Sequence, residues 1–259
     1  MTKKSILGAI IVVVIAGGVA LFFWHAHEEF SGDEMMEHPV IPPASLTATS
    51  TQATTASQND LSDALRQEAM RILAEPFSPA AGTSDADKTL AEQKIKDASD
   101  MLRANYNYAN PWYDIGAYRK MVGDFQGAID AWSFVERIRP DDYIAPNNLG
   151  DLYAFTLHDY ANGEAEFLKS IANEPTNVNA YMQLVTIYEH LDTAKAGQVP
   201  ALLKKGLAAN PKNKNLLITL GQYYESTGDM ASAKTYLEQA LQLDPSNTDL
   251  QQEIQALGK

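Results

Sequence analysis

Four prolines constrain this chain more than any other feature. Pro140, Pro175, Pro211 and Pro245 each close an apolar helical run, at intervals of 35, 36 and 34 residues. A proline lacks the backbone donor and clashes with the preceding turn, so each marks a helix stop. Upstream, Gly116, Gly150, Val185 and Gly221 recur at intervals of 34, 35 and 36. Two independent landmarks with one shared period describe a unit repeated four times, with room for two helices in each. A helical hairpin of that kind leaves an apolar face that only the next hairpin can cover. The chain is therefore committed to an all-α stack with caps at both ends.

The residues between the landmarks sharpen this. Trp112, Ile115, Gly116, Gly123, Ala128, Trp132 and Pro140 mark the first unit, and Leu217, Leu220, Gly221, Tyr224, Gly228, Ala233, Leu237, Ala240 and Pro245 the last. The pattern resembles the tetratricopeptide repeat (TPR) over about 109–247, slightly more than half the chain. The resemblance implies a right-handed α-solenoid of four units, 109–142, 143–177, 178–213 and 214–247. The middle two depart from it. One has an extra turn residue and Gly163 in place of a small alanine, and the other has two extra residues and Val185 in place of glycine. Residues 248–259 read as a C-terminal capping helix, with Leu250, Ile254 and Leu257 facing inward. Residues 59–108 read as an N-terminal helical hairpin, a candidate degenerate repeat. Its first helix, 61–75, has Asp60 as N-cap and Pro76 as its stop. Its second, about 86–105, opens on Ser84 and Asp87 in capping-box spacing.

In this family the concave face is lined by the first helix of each unit. The resemblance selects Tyr113, Ala117, Lys120, Met121, Asn147, Asp151, Phe155, Met182, Thr186, Glu189, His190, Ile218, Gln222 and Glu225 as a partner-binding groove. Apolar and polar groups alternate along it, which suits a protein or peptide segment. The family's clamp of Lys, Arg and Asn for a C-terminal carboxylate is not matched, because Tyr113, Asn147, Met182 and Ile218 stand where its cations would be.

Ahead of the repeats, residues 5–24 are twenty residues without a charge, ending at Trp24. A helix of that length spans a hydrocarbon core of roughly 30 Å. Lys3 and Lys4 precede it, and the next basic residue is Arg66, so the positive-inside rule leaves residues 1–4 in the cytoplasm and exports the rest. The expectation is a single-pass inner-membrane protein with an extracytoplasmic repeat domain. A cleaved signal peptide is the alternative, but its apolar core would be unusually long. Residues 25–58 read as a flexible tether, since Pro39–Asn59 carries no charge and few large apolar groups.

The chain has 20 basic and 33 acidic residues and no cysteine. That excess repels phosphate backbones and argues against nucleic acid. Disulfides and thiolate chemistry are excluded. No nucleophile elbow, phosphate-binding Gly-x-x-x-x-Gly-Lys or His-Glu-x-x-His is present, and neither catalysis nor a cofactor is expected. Gly116 and Gly123 are accounted for by packing and a turn. His25, His27, Met35, Met36 and His38 offer imidazole and thioether donors of the copper-binding type. The leading expectation is a membrane-anchored extracytoplasmic scaffold. Its layout resembles single-span repeat proteins of secretion, envelope assembly or cytochrome c maturation. A metal-handling envelope protein is the alternative.

Overall fold

The computed structural model describes residues 53–258. The expected membrane span at 5–24, the His/Met segment and most of the tether lie outside the described residues. No helix among the described residues is long and apolar enough to cross a membrane. Those residues fold entirely as helices and turns.

Four hairpins follow one another as predicted. They are α3 (Ala109–Met121) with α4 (Phe125–Ile138), α5 (Ile144–Asp151) with α6 (Tyr160–Asn173), α7 (Val178–Thr186) with α8 (Val199–Ala209), and α9 (Lys214–Ser226) with α10 (Met230–Leu243). The landmark prolines act in one way at all four stops. A residue before proline is pushed out of the α region by the pyrrolidine ring. Accordingly Arg139, Glu174, Asn210 and Asp244 all adopt φ of −129° to −143° and ψ of 68° to 89°. Three residues on, the chain closes the same turn each time. The donors are Asp142, Asn177, Asn213 and Asn247, bonding to the carbonyls of those four residues at 3.0–3.2 Å.

Within each hairpin, glycine sets the approach. A Cβ on Gly116 would lie 2.2 Å from Trp132 Nε1, and one on Gly221 would lie 2.7 Å from Leu237. The third hairpin moves this device to the second helix, where a Cβ on Gly206 would meet the Tyr181 ring at 3.2 Å. That exchange of sites lets Val185 stand where the other units have glycine. Trp112, Phe134, Phe167, Tyr181 and Leu184 are fully buried between the helices. Each large side chain of this kind contributes roughly 1.5–3 kcal/mol by leaving water.

The extra residues of the middle units do not lengthen loops. After α5 the helix widens into a π segment, Leu152–Thr156, closed by Leu157 N–H to Leu152 O at 3.0 Å. After α7 a second π segment, Ile187–Leu191, ends with Asp192 N–H bonding Ile187 O at 2.7 Å, and a 3₁₀ segment follows at Thr193–Gln198. A π turn absorbs one residue more than an α turn while the flanking helix keeps its face.

The N-terminal part corrects the expectation. Helix α1 runs Ala53–Ala74, so it begins inside the predicted tether and Asp60 is not its N-cap. No glycine or proline interrupts 53–60, and extending an existing helix is far easier than nucleating one. Helix α2 (Asp85–Ala104) starts where predicted, with the Ser84 hydroxyl accepting from Asp87 N–H. However, α2 packs on α3 while α1 packs on α4. The pair straddles the first hairpin and is not a fifth repeat. Arg119 fixes this arrangement, since its buried guanidinium pairs with Asp124 at 2.5 Å and donates to the Glu75 and Pro76 carbonyls. The C-terminal cap forms as α11, Thr248–Ala256, with Leu250 buried.

Candidate functional site

Each first helix of a hairpin uses two of its sides for packing. In α3, Trp112, Ile115, Gly116 and Arg119 are buried. The remaining stripe, at i, i+4 and i+7, carries the predicted groove residues, and none of the fourteen is buried. Ala117, Met121, His190 and Gln222 are exposed. Tyr113, Lys120, Asn147, Asp151, Phe155, Met182, Thr186, Glu189, Ile218 and Glu225 are half-buried.

The stripe divides into two halves of different character. In the first two units its polar groups hold the array together. The Lys120 ammonium pairs with Asp151 of the next unit. Tyr113 donates to Asp142 Oδ1 at 2.5 Å, and Asp142 Oδ2 receives the Ala145 N–H. Burial, with that hydrogen bond to a carboxylate, holds the Tyr113 phenol well above its usual range. Asn177 donates to Asn147 Oδ1 at 3.2 Å. Phe155 falls in the first π segment, its ring 6.4 Å from that of Phe167.

In the third and fourth units the stripe opens. Glu189, His190 and Gln222 line a cleft of about 420 Å³ together with Ala196, Thr219, Tyr223, Ser226 and Thr227. Thr219 Oγ1 contacts Met182 Sδ at 3.8 Å. Met182 and Ile218 lie on the same stripes, half-buried. Gln222 Nε2 donates to Glu253 Oε1 of the cap at 3.4 Å. Burial raises the proton affinity of Glu189, the neighbouring His190 acting against it. Burial also raises that of Glu253, where the Glu225 charge adds and the Gln222 hydrogen bond opposes.

Sequence reasoning from the first helices alone missed Ala196, Thr219, Tyr223, Ser226, Thr227 and Glu253. The signal for Ala196 was the two-residue excess of the third unit, which becomes the 3₁₀ segment beside the cleft. Glu253 comes from the cap, which has no place in a repeat pattern. Among the described residues no three His, Cys, Asp or Glu side chains are grouped to hold a metal ion. The candidate copper ligands His25, His27, Met35, Met36 and His38 lie outside the described residues.

Residues 215–247, the hairpin α9–α10, match the family model for the tetratricopeptide repeat. A stretch of 61 residues, 23% of this chain, is 44% identical to cellulose synthase operon protein C of Escherichia coli strain K12 and covers 5% of that protein. The chain thus spans a small fraction of the curated relatives it matches first. Among solved structures, MamA superposes with a TM-score of 0.49 at 17% identity, covering 66% of this chain and 99% of MamA. YrrB, a TPR protein with an unusual peptide-binding site, superposes at 0.47 with 14% identity, covering 60% of this chain and 79% of YrrB. The last hairpin thus matches the tetratricopeptide repeat, and the three before it share its helix order and inter-unit turn.

Proposed function

We propose that this chain is a non-enzymatic interaction scaffold that is anchored by residues 5–24 in the inner membrane and presents its repeat array outside the cytoplasm. A segment of a partner protein lies along the first-helix stripe. The observation that carries this reading is that all fourteen stripe positions stay accessible while the buried residues of each first helix lie off the stripe. A face that a fold leaves open along several successive units suits an extended or helical segment better than a small molecule. The uncharged run at 5–24, with Lys3 and Lys4 before it and no further Lys or Arg until Arg66, supports the anchor and its orientation.

A photocrosslinker at Ile218 or Gln222 should capture the same partner in cells from either position. One placed at Leu168, exposed on the second helix of its hairpin, should not. Equal capture from all three sites would remove the groove from the proposal. A C-terminal topology reporter that reads cytoplasmic would remove the anchor's orientation.

A further inference from the structure

The two halves of the stripe differ in how their carboxylates are compensated. Asp151 is neutralised by Lys120 within the chain. The same holds for three other half-buried acids, with Glu136 on Lys169, Glu164 on Lys195 and Asp244 on Lys214, although Glu166 beside Glu136 has no such partner. Around the cleft it does not hold. Glu189 lines the cleft beside Gln222, Gln222 reaches Glu253, and Glu225 lies close enough to Glu253 for the two charges to interact. Among the described residues no Lys or Arg nitrogen comes within 4.0 Å of these three carboxylates. The only basic neighbour is His190, its Nε2 at 3.9 Å from Glu189 Oε2.

A half-buried carboxylate without a counter-charge is held in an unfavourable state, and each like charge nearby worsens it. Cations arriving from outside, one beside Glu189 and another beside the Glu225–Glu253 pair, relieve it. Beside them lie the half-buried apolar groups Met182 and Ile218 with Thr219, which suit an apolar side chain between two cations. The net charge of −13 adds long-range attraction of the same sign.

We infer that the surface formed by Glu189, Glu225, Glu253, Met182 and Ile218 docks a basic segment of a partner protein, in which Lys or Arg flanks an apolar residue. This rests on the groove reading above and names the chemistry of its occupant. It is the reverse of a cationic clamp for a carboxylate, because the charge sits on the scaffold with the opposite sign. Electrostatic complementarity of this kind acts on specificity and association rate more than on total affinity.

The test uses the full-length chain in detergent and three labelled peptides read by fluorescence anisotropy. One alternates Lys with Leu, one Gln with Leu, and one Glu with Leu. The Lys/Leu peptide should bind at least about tenfold more tightly than the Gln/Leu peptide at low ionic strength, with the advantage shrinking as salt screens it. The triple change Glu189→Gln, Glu225→Gln, Glu253→Gln should abolish that advantage while leaving Gln/Leu binding unchanged. Removing three exposed acids elsewhere, by Asp63→Asn, Glu92→Gln and Asp141→Asn, should leave the advantage in place. Loss of the advantage in this last variant would mean net charge alone is at work, and would overturn the site. If Lys/Leu and Gln/Leu bind equally and Met182→Asp with Ile218→Asp abolishes both, the groove stands and the basic partner falls. If neither substitution set changes the binding of any of the three peptides, both readings fall.

Discussion

Glu166 on α6 offers the sharpest test of how these hairpins are coupled. Its carboxyl is pushed up to about 7 by burial and by the charge of Glu136, with Lys169 opposing. The ordinary value is 4.5, so the folded chain holds this proton more tightly than the unfolded one. Stability from this group is therefore complete below about pH 4.5, declines as the pH rises toward about 7, and is flat beyond. At 1.36 kcal/mol per pH unit the ceiling is about 3.4 kcal/mol. Glu166 is only half-buried, and solvent screening reduces the effect to about 1–2 kcal/mol. Glu166→Gln should thus stabilise the chain by about 1–2 kcal/mol at about pH 8 and have little effect at about pH 4.5. For a chain of this size each kcal/mol moves Tm by roughly 2–4 °C. Burial also raises Glu75, Asp114, Glu189 and Glu253, so the parent's own pH profile mixes several groups, and the difference between parent and variant isolates this one. Thermal unfolding followed by far-UV circular dichroism across that range measures it. Parallel pH profiles for parent and variant would show that Glu166 titrates normally and that the reasoning from burial is wrong.

Four further outcomes follow from the packing. Arg119→Ala should destabilise by about 3–5 kcal/mol, because it strands buried Asp124 without its counter-charge and releases the Glu75 and Pro76 carbonyls. Hydrogen exchange should rise first in 75–83. Gly116→Ala should lose about 1–3 kcal/mol by urea titration, since the new methyl overlaps the buried indole of Trp132. Tyr181→Phe should be neutral or stabilising by about 1 kcal/mol, because the fully buried hydroxyl has no hydrogen-bond partner. His158→Gly should stabilise by up to about 1 kcal/mol. His158 adopts φ 56° where the first and last hairpins place Gly123 and Gly228, and relief of left-handed strain outweighs the added freedom of the unfolded chain.

How far the sequence carried depends on which residue types enforce geometry by themselves. Proline does so through its ring, and the four stops with their identical following turns were legible from one letter each. Glycine does so only where something presses on it. Gly116 and Gly221 were legible as packing sites, but the transfer of that role from Val185 to Gly206 needed the Tyr181 ring to be seen across the hairpin. Ser84 was legible as a cap because its bond is local. Asp60 was not, since a helix continuing through it has no local cost to betray it.

The π segments were not legible at all. Leu152–Thr156 and Ile187–Leu191 contain ordinary helix-compatible residues, and only the count between landmarks betrayed an excess, which a loop would have satisfied equally well. The excess proves informative about the site. The second π segment contains Glu189 and His190, and the 3₁₀ segment after it contains Ala196. All three line the cleft against α9. In the first and last units a Gly-Asp turn leads from the first helix to the second, with Asp124 and Asp229 capping the second, and such a unit has no backbone to spare for a wall. The third unit, with its two surplus residues, has that backbone. The residues that break the repeat thus build a broad opening on its first-helix stripe, so departures from the pattern point to the proposed interaction site more directly than the pattern does.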